Sequence, residues 1–274
     1  MPIDGINFDR NGNCAICHIE HLSDDLKTII RANLATICHG THISDYDGEP
    51  LFDYKATLGS LLDRYKTKTK ETQMGMIGEL LSHILITQLF DEYDIASPFF
   101  NLEEKSIKKG FDLILYKPSD GSAWITEVKS GKLHKGKDHE ETTHDLLSTA
   151  KGDLKKRLNQ QKKMHWLNAI HSVKTSLNDE ADYKKTLVNI LVKEGSSAAQ
   201  GKAVGSDNYV VLISNLFEPL DKKITINPAE SVLESIQKVK TELFKDTVVF
   251  SIQKETYSAV AEFLQLEATG MEES

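Results

Sequence analysis

Prolines are scarce in this chain, six in 274 residues, and its cysteines number only three. With 16 glycines and 39% apolar residues, that composition excludes collagen-like, disulfide-scaffold and wholly disordered classes and leaves a chain able to bury a sizeable core. The length suits one large domain or two ordinary ones. Long apolar runs are also missing. The longest uncharged apolar stretch, from Leu80 to Phe90, covers 11 residues, far short of the roughly 20 that cross a bilayer. Residues 1–10 show no basic start leading into an apolar signal core, and the cysteine count is odd. These absences lead us to expect a cytoplasmic protein with reduced thiols and no membrane partner.

Excess positive charge is absent too. A net charge of -8 argues against a protein that grips nucleic acid by bulk electrostatics. The charge is nevertheless uneven: residues 103–163 carry 14 Lys and Arg against 10 Asp and Glu, while the rest of the chain carries 19 against 31. An anionic ligand is therefore expected at the middle of the chain.

Residues 3–8 and 14–19 flank Asn11-Gly12 and read as a hairpin. Ser23 caps a helix with Leu26, Ile30, Leu34 and Ile37 on one face, ended by Gly40, and a short amphipathic helix follows over 52–66. From Met74 to Glu92 apolar residues cover most of a helical circumference, so Glu79 lies on a helix packed on several sides and needs a partner. Strands are expected near 95–102, 110–117 and 122–129, the last two joined by a turn at Pro118 to Gly121. One long helix is expected from Thr142 to Leu177, then a helix near 181–194, a Gly/Ser/Ala-rich loop to Asp207, and a buried strand from Tyr209 to Phe217. A helix from Asn227 to about Phe244, a strand over 247–253 and a helix over 255–266 complete the chain. The expected class is α/β with a mixed sheet, divided into an N-terminal α/β region, 1–70, and a domain spanning 71–274.

Side chains alternate across a strand, so Glu127 and Lys129 share one face with Val128 on the other. If the flanking strands pair as a hairpin, Asp112 approaches Glu127 across the sheet. Two carboxylates beside a lysine suit a hard cation, because Mg²⁺ (or Mn²⁺) is content with one or two carboxylates, waters and a substrate phosphate. Such an ion polarises a phosphodiester and acidifies a bound water, and Lys129 is placed to orient that water or steady the developing charge. The basic residues that follow offer phosphate contacts: Lys132 just before an expected polar loop from Leu133 to Asp145, Lys135 and Lys137 in it, then Lys151, Lys155, Lys156, Arg157 and Gln160 on the helix.

These positions resemble the PD-(D/E)xK, or restriction-endonuclease-like, nuclease superfamily. Asp112 matches its first acidic residue, Glu127 and Lys129 its E-x-K pair, and Glu79 the acidic residue often placed on the preceding helix. The resemblance covers residues 74–217 and implies an αβββαβ core with N- and C-terminal additions. Phe111 replaces the proline of the motif, and Gln160-Gln161 lacks a tyrosine four residues on. Within the superfamily, Gly75-Met-Ile-Gly-Glu79, Gly110-Phe-Asp112 and Glu127-Val-Lys129-Ser-Gly131 look most like the HamA family, nuclease effectors of Hachiman anti-phage systems that work with a helicase partner, HamB. The resemblance implies a DNase in which Asp112, Glu127 and the Val128 carbonyl hold metal, Glu79 positions metal or water, and Lys129 assists the nucleophile. The rival reading is a catalytically inactive regulatory or DNA-binding subunit of a DNA-processing complex.

Two further clusters point elsewhere. Cys14-x-x-Cys17-His18-x-x-His21 with Cys38-His39-x-x-His42 has ligands for zinc, but adjacent residues on a strand or at a helix end rarely share one tetrahedral site, so buried thiols and exposed imidazoles are expected. His139 and His144 are five apart, one too many for a zinc-protease helix.

Overall fold

The computed structural model describes residues 2–98, 110–159, 163–178, 183–238 and 243–270. The chain runs β1 (Ile6–Asn11), β2 (Cys14–Ile19), α1 (Asp24–His39), α2 (Tyr54–Lys66), α3 (Lys70–Leu89), β3 (Asp94–Ile95), β4 (Leu113–Lys117) and β5 (Ser122–Gly131). It continues with α4 (His139–Leu158), α5 (Lys163–Ser176), α6 (Lys184–Ala199), β6 (Tyr209–Phe217), α7 (Asn227–Gln237), β7 (Asp246–Lys254) and α8 (Ser258–Thr269). The seven strands form one mixed sheet in the order β1-β2-β7-β6-β5-β4-β3. Its middle, β2, β7, β6 and β5, is parallel, and each margin is an antiparallel hairpin.

Both sheet faces are covered, which is why β6 reads as an unbroken apolar run rather than an alternating one. Trp124, Val128, Val211, Ile213, Phe250 and Ile252 face the layer built from α1, α2, α3 and α8. Ile125, Val210, Leu212 and Val249 face α4, α5, α6 and α7. The boundary expected at residue 70 falls between α2 and α3, whose Leu61, Leu62, Ile77 and Leu80 belong to one apolar cluster. β1 and β2 likewise belong to the same sheet as the rest.

The mixed α/β class is as expected; several boundaries differ. The first hairpin turns one residue late, because Asn11 pairs with Cys14 and Gly12 supplies the positive φ of +57°. Of the expected 95–102 strand, only Ile95 is in a strand among the described residues, as the second residue of Asp94–Ile95, and residues 99–102 lie outside the described residues. The expected helix from Thr142 to Leu177 is two helices: α4 ends with Asn159 as its cap and α5 begins at Lys163. α4 also starts earlier than expected, because Asp138 and Glu141 form a reciprocal capping box that turns half the expected loop into the first helical turns. α6 passes through Gly195 to Ala199 and shortens the loop after it. α7 ends at Gln237, well before Phe244.

Candidate active site

The β4–β5 ladder pairs Leu113 with Thr126 as its last rung. Continuing that register one step beyond the ladder sets Asp112 against Glu127, whose carboxyl feels the Asp112 charge. Asp112 is half-buried and its Oδ2 accepts the Val128 N–H at 2.8 Å, which ties the start of β4 to the far half of β5. Glu127 has no exposed surface. Its Oε1 accepts from Lys129 Nζ at 2.7 Å and its Oε2 from Arg157 Nη1 at 2.7 Å, while Lys129 also reaches Asp153 Oδ2 at 2.8 Å.

Five charged side chains thus meet on one face. Asp153 and Arg157 sit one helical turn apart on α4, beside the stripe of Ala150, Leu154 and Leu158 that is packed on the sheet. Glu127 and Lys129 sit two apart on β5, so the helix presents an acid to the strand's lysine and a guanidinium to the strand's glutamate.

The electrostatics follow from this packing. Burial pushes the Glu127 carboxyl up to about 7, the charge of Asp112 adds to the rise, and Arg157 and Lys129 oppose it. Burial works to lower the Lys129 ammonium, but Glu127, Asp153 and Asp112 outweigh it and hold the group above its ordinary value.

The other expected residues are placed as follows. Glu79, part-buried, comes from α3, which covers the opposite face, where Gly78 lies against Ser130 of β5. Lys132, Lys135, Lys155 and Lys156 are exposed, Lys132 lying 5.8 Å from the centroid of the Tyr257 ring. Lys151 turns to Ser235 on α7 at 2.9 Å, and Lys137 pairs with Asp145. Arg157, expected along a DNA backbone, is instead turned onto Glu127; Gln160 lies outside the described residues. Asp153 was not anticipated. Its signal was the i, i+4 pairing with Arg157 next to the buried stripe, read there as a basic face alone.

Two opposed carboxylates, one buried and raised by its neighbour, form a donor set suited to a hard divalent cation, since such a pair needs positive charge to remain ionised. Lys129 and Arg157 supply that charge here. Among the described residues no three His, Cys, Asp or Glu side chains are gathered as a metal cluster, so the fit is to a two-carboxylate centre completed by water and substrate oxygens. Cys14, Cys17 and Cys38 are buried free thiols, and burial pushes Cys17 to about 12, where the thiol rather than the thiolate persists. Cavities of about 220 and 240 Å³ lie away from this cluster, against α1 and β3 and at the amino ends of β5 and β6.

Fold and site together define a three-layer α/β protein with an acid–base cluster built around a buried glutamate where β4 and β5 meet α4. The HamA family model matches residues 6–265, and the chain belongs to the HamA family, a family of the Hachiman anti-phage defence systems. No curated protein matches the sequence. No helix among the described residues is long and apolar enough to cross a membrane.

Proposed function

We propose that the chain is a metal-dependent deoxyribonuclease of the PD-(D/E)xK type, the effector of a Hachiman complex with a HamB-like helicase. The observation that carries this reading is the juxtaposition of Asp112 with Glu127 across the β4–β5 ladder, with Lys129 on the same face. Asp112, Glu127 and the Val128 carbonyl would hold Mg²⁺ or Mn²⁺, which supplies Lewis acidity and an acidified water. Lys129, kept charged by two carboxylates, donates toward the negative charge that develops on the phosphate. Glu79, carried by α3 on the other face of the sheet, is kept out of this donor set, and the exposed Lys132, Lys135, Lys155 and Lys156 contact the DNA backbone, a role the sequence also assigns to Gln160. An acidic chain gains little from bulk attraction to DNA, so delivery by the helicase subunit suits its charge of -8.

The test is cleavage of single-stranded, double-stranded and supercoiled DNA by the chain alone and co-expressed with a HamB-like helicase. Cleavage is expected with Mg²⁺ or Mn²⁺ and is lost on chelation. Glu127→Ala loses metal binding and cleavage together, whereas Lys129→Ala keeps the metal and loses about 10²–10³ in rate. A complex that cleaves none of these substrates, or a Lys129→Ala variant at the parental rate, selects the regulatory-subunit reading instead.

A further inference from the structure

Of the two cations in the cluster, Arg157 has the single tie among the described residues. Lys129 is held at both ends of its reach, by Glu127 and Asp153, but among the described residues Arg157 pairs with Glu127 alone. Its side chain is 26% exposed, so the guanidinium lies at the rim of the site with solvent beside it. It occupies Glu127 Oε2, one of two oxygens through which that carboxylate can meet a cation, and Lys129 occupies the other.

We propose that Arg157 is the resident counter-ion of this site: it holds Glu127 in the place of a divalent cation, and metal loading frees its guanidinium for a phosphate of the substrate. The proposal rests on the nuclease reading above and adds how the site is kept quiet. A metal ion that needs Glu127 Oε2 must displace Arg157 and then bear the repulsion of a unit positive charge close by. Arg157 is easier to displace than Lys129, because the lysine keeps Asp153 as a second anchor. The released guanidinium has a planar fork that suits a phosphate as well as a carboxylate. Metal and DNA therefore reinforce each other, since DNA offers Arg157 the anion that metal has taken away. Removing Arg157 also favours protonation of Glu127, but a proton carries one charge where the metal carries two, so metal gains more.

The experiment is calorimetric titration of Mn²⁺ into the full chain, comparing the parent with Arg157→Gln, Arg157→Lys and Glu127→Gln, each first checked by thermal melting without metal. Arg157→Gln is expected to bind Mn²⁺ about tenfold more tightly, as expected when a nearby unit charge no longer opposes a dication. Arg157→Lys tightens less. A short phosphorothioate duplex should strengthen Mn²⁺ binding by the parent more than by Arg157→Gln, which keeps only the gain from substrate oxygens on the metal. Unchanged or weaker Mn²⁺ binding by Arg157→Gln, or by Arg157→Lys if the first variant does not fold, overturns the proposal while the nuclease reading stands, provided Glu127→Gln has lost the metal. If Glu127→Gln binds Mn²⁺ like the parent, or if the parent binds none, the nuclease reading falls and this proposal with it.

Discussion

A carboxylate without exposed surface stays ionised only as far as its neighbours compensate for lost water. For Glu127 two cations do so incompletely, leaving its carboxyl near 7 against an ordinary value of 4.5. Below pH 4.5 the side chain is protonated in both folded and unfolded chains. Between 4.5 and about 7 the folded chain holds a proton that the unfolded chain has lost, so this residue's contribution to stability falls as pH rises through that window. Urea denaturation of the parent should therefore lose stability from pH 4.5 to pH 7 at this site, and Glu127→Gln should flatten that component of the slope. Equal slopes in parent and variant would show that Glu127 titrates as it does in the unfolded chain.

Elements hold these residues in place through close backbone approach. At Gly110, just before β4, an added Cβ would lie 2.4 Å from the His165 carbonyl oxygen and 3.3 Å from the Ala169 nitrogen on α5, neither of which can rotate away. At Gly78 the nearest atom is the Ser130 hydroxyl, at 1.9 Å, which can turn aside, though Ser130 Cβ at 3.0 Å cannot. Gly110→Ala should then cost more than Gly78→Ala, both in the range of about 1–3 kcal/mol typical of overpacking. Gly110→Ala also drives the start of β4, and with it Asp112, away from Val128. The expected result is a loss of cleavage at a temperature where the variant is still folded, whereas Ser130→Gly should recover much of the stability lost in Gly78→Ala. Thermal melting and the cleavage assay on the same preparations check both. The glycines of these motifs were visible in the sequence, but what they make room for was not, since α5 meets β4 across about 55 residues of chain.

At the scale of the whole molecule the sheet extends beyond the α3-to-β6 segment that bears the motifs. β7 covers the edge of β6, and the N-terminal hairpin in turn covers the edge of β7. A chain beginning at residue 71 loses β1, β2, α1 and α2, uncovers β7 and strips Leu26, Ile30, Leu34 and Leu58 from one apolar cluster. It is expected to be unfolded or aggregated by circular dichroism and size-exclusion chromatography. A folded, monomeric product would mean that the core closes without them.

By itself the sequence determined the kinds of elements, the buried strand from Tyr209 to Phe217, and the shared face of Glu127 and Lys129, because periodicity and alternation are properties of neighbours along the chain. It also brought Asp112 to Glu127, since a hairpin is a local pairing with a short turn. The tertiary structure alone decided that β2 pairs in parallel with β7 and that α4 turns Arg157 and Asp153 inward rather than toward a ligand. Both depend on contacts between distant segments, and for a charged residue beside a buried stripe the direction is set by whichever opposite charge the facing layer presents. Here the sheet presents Glu127 and Lys129, and the ion pairs compensate for burying the Glu127 carboxylate, which has no exposed surface.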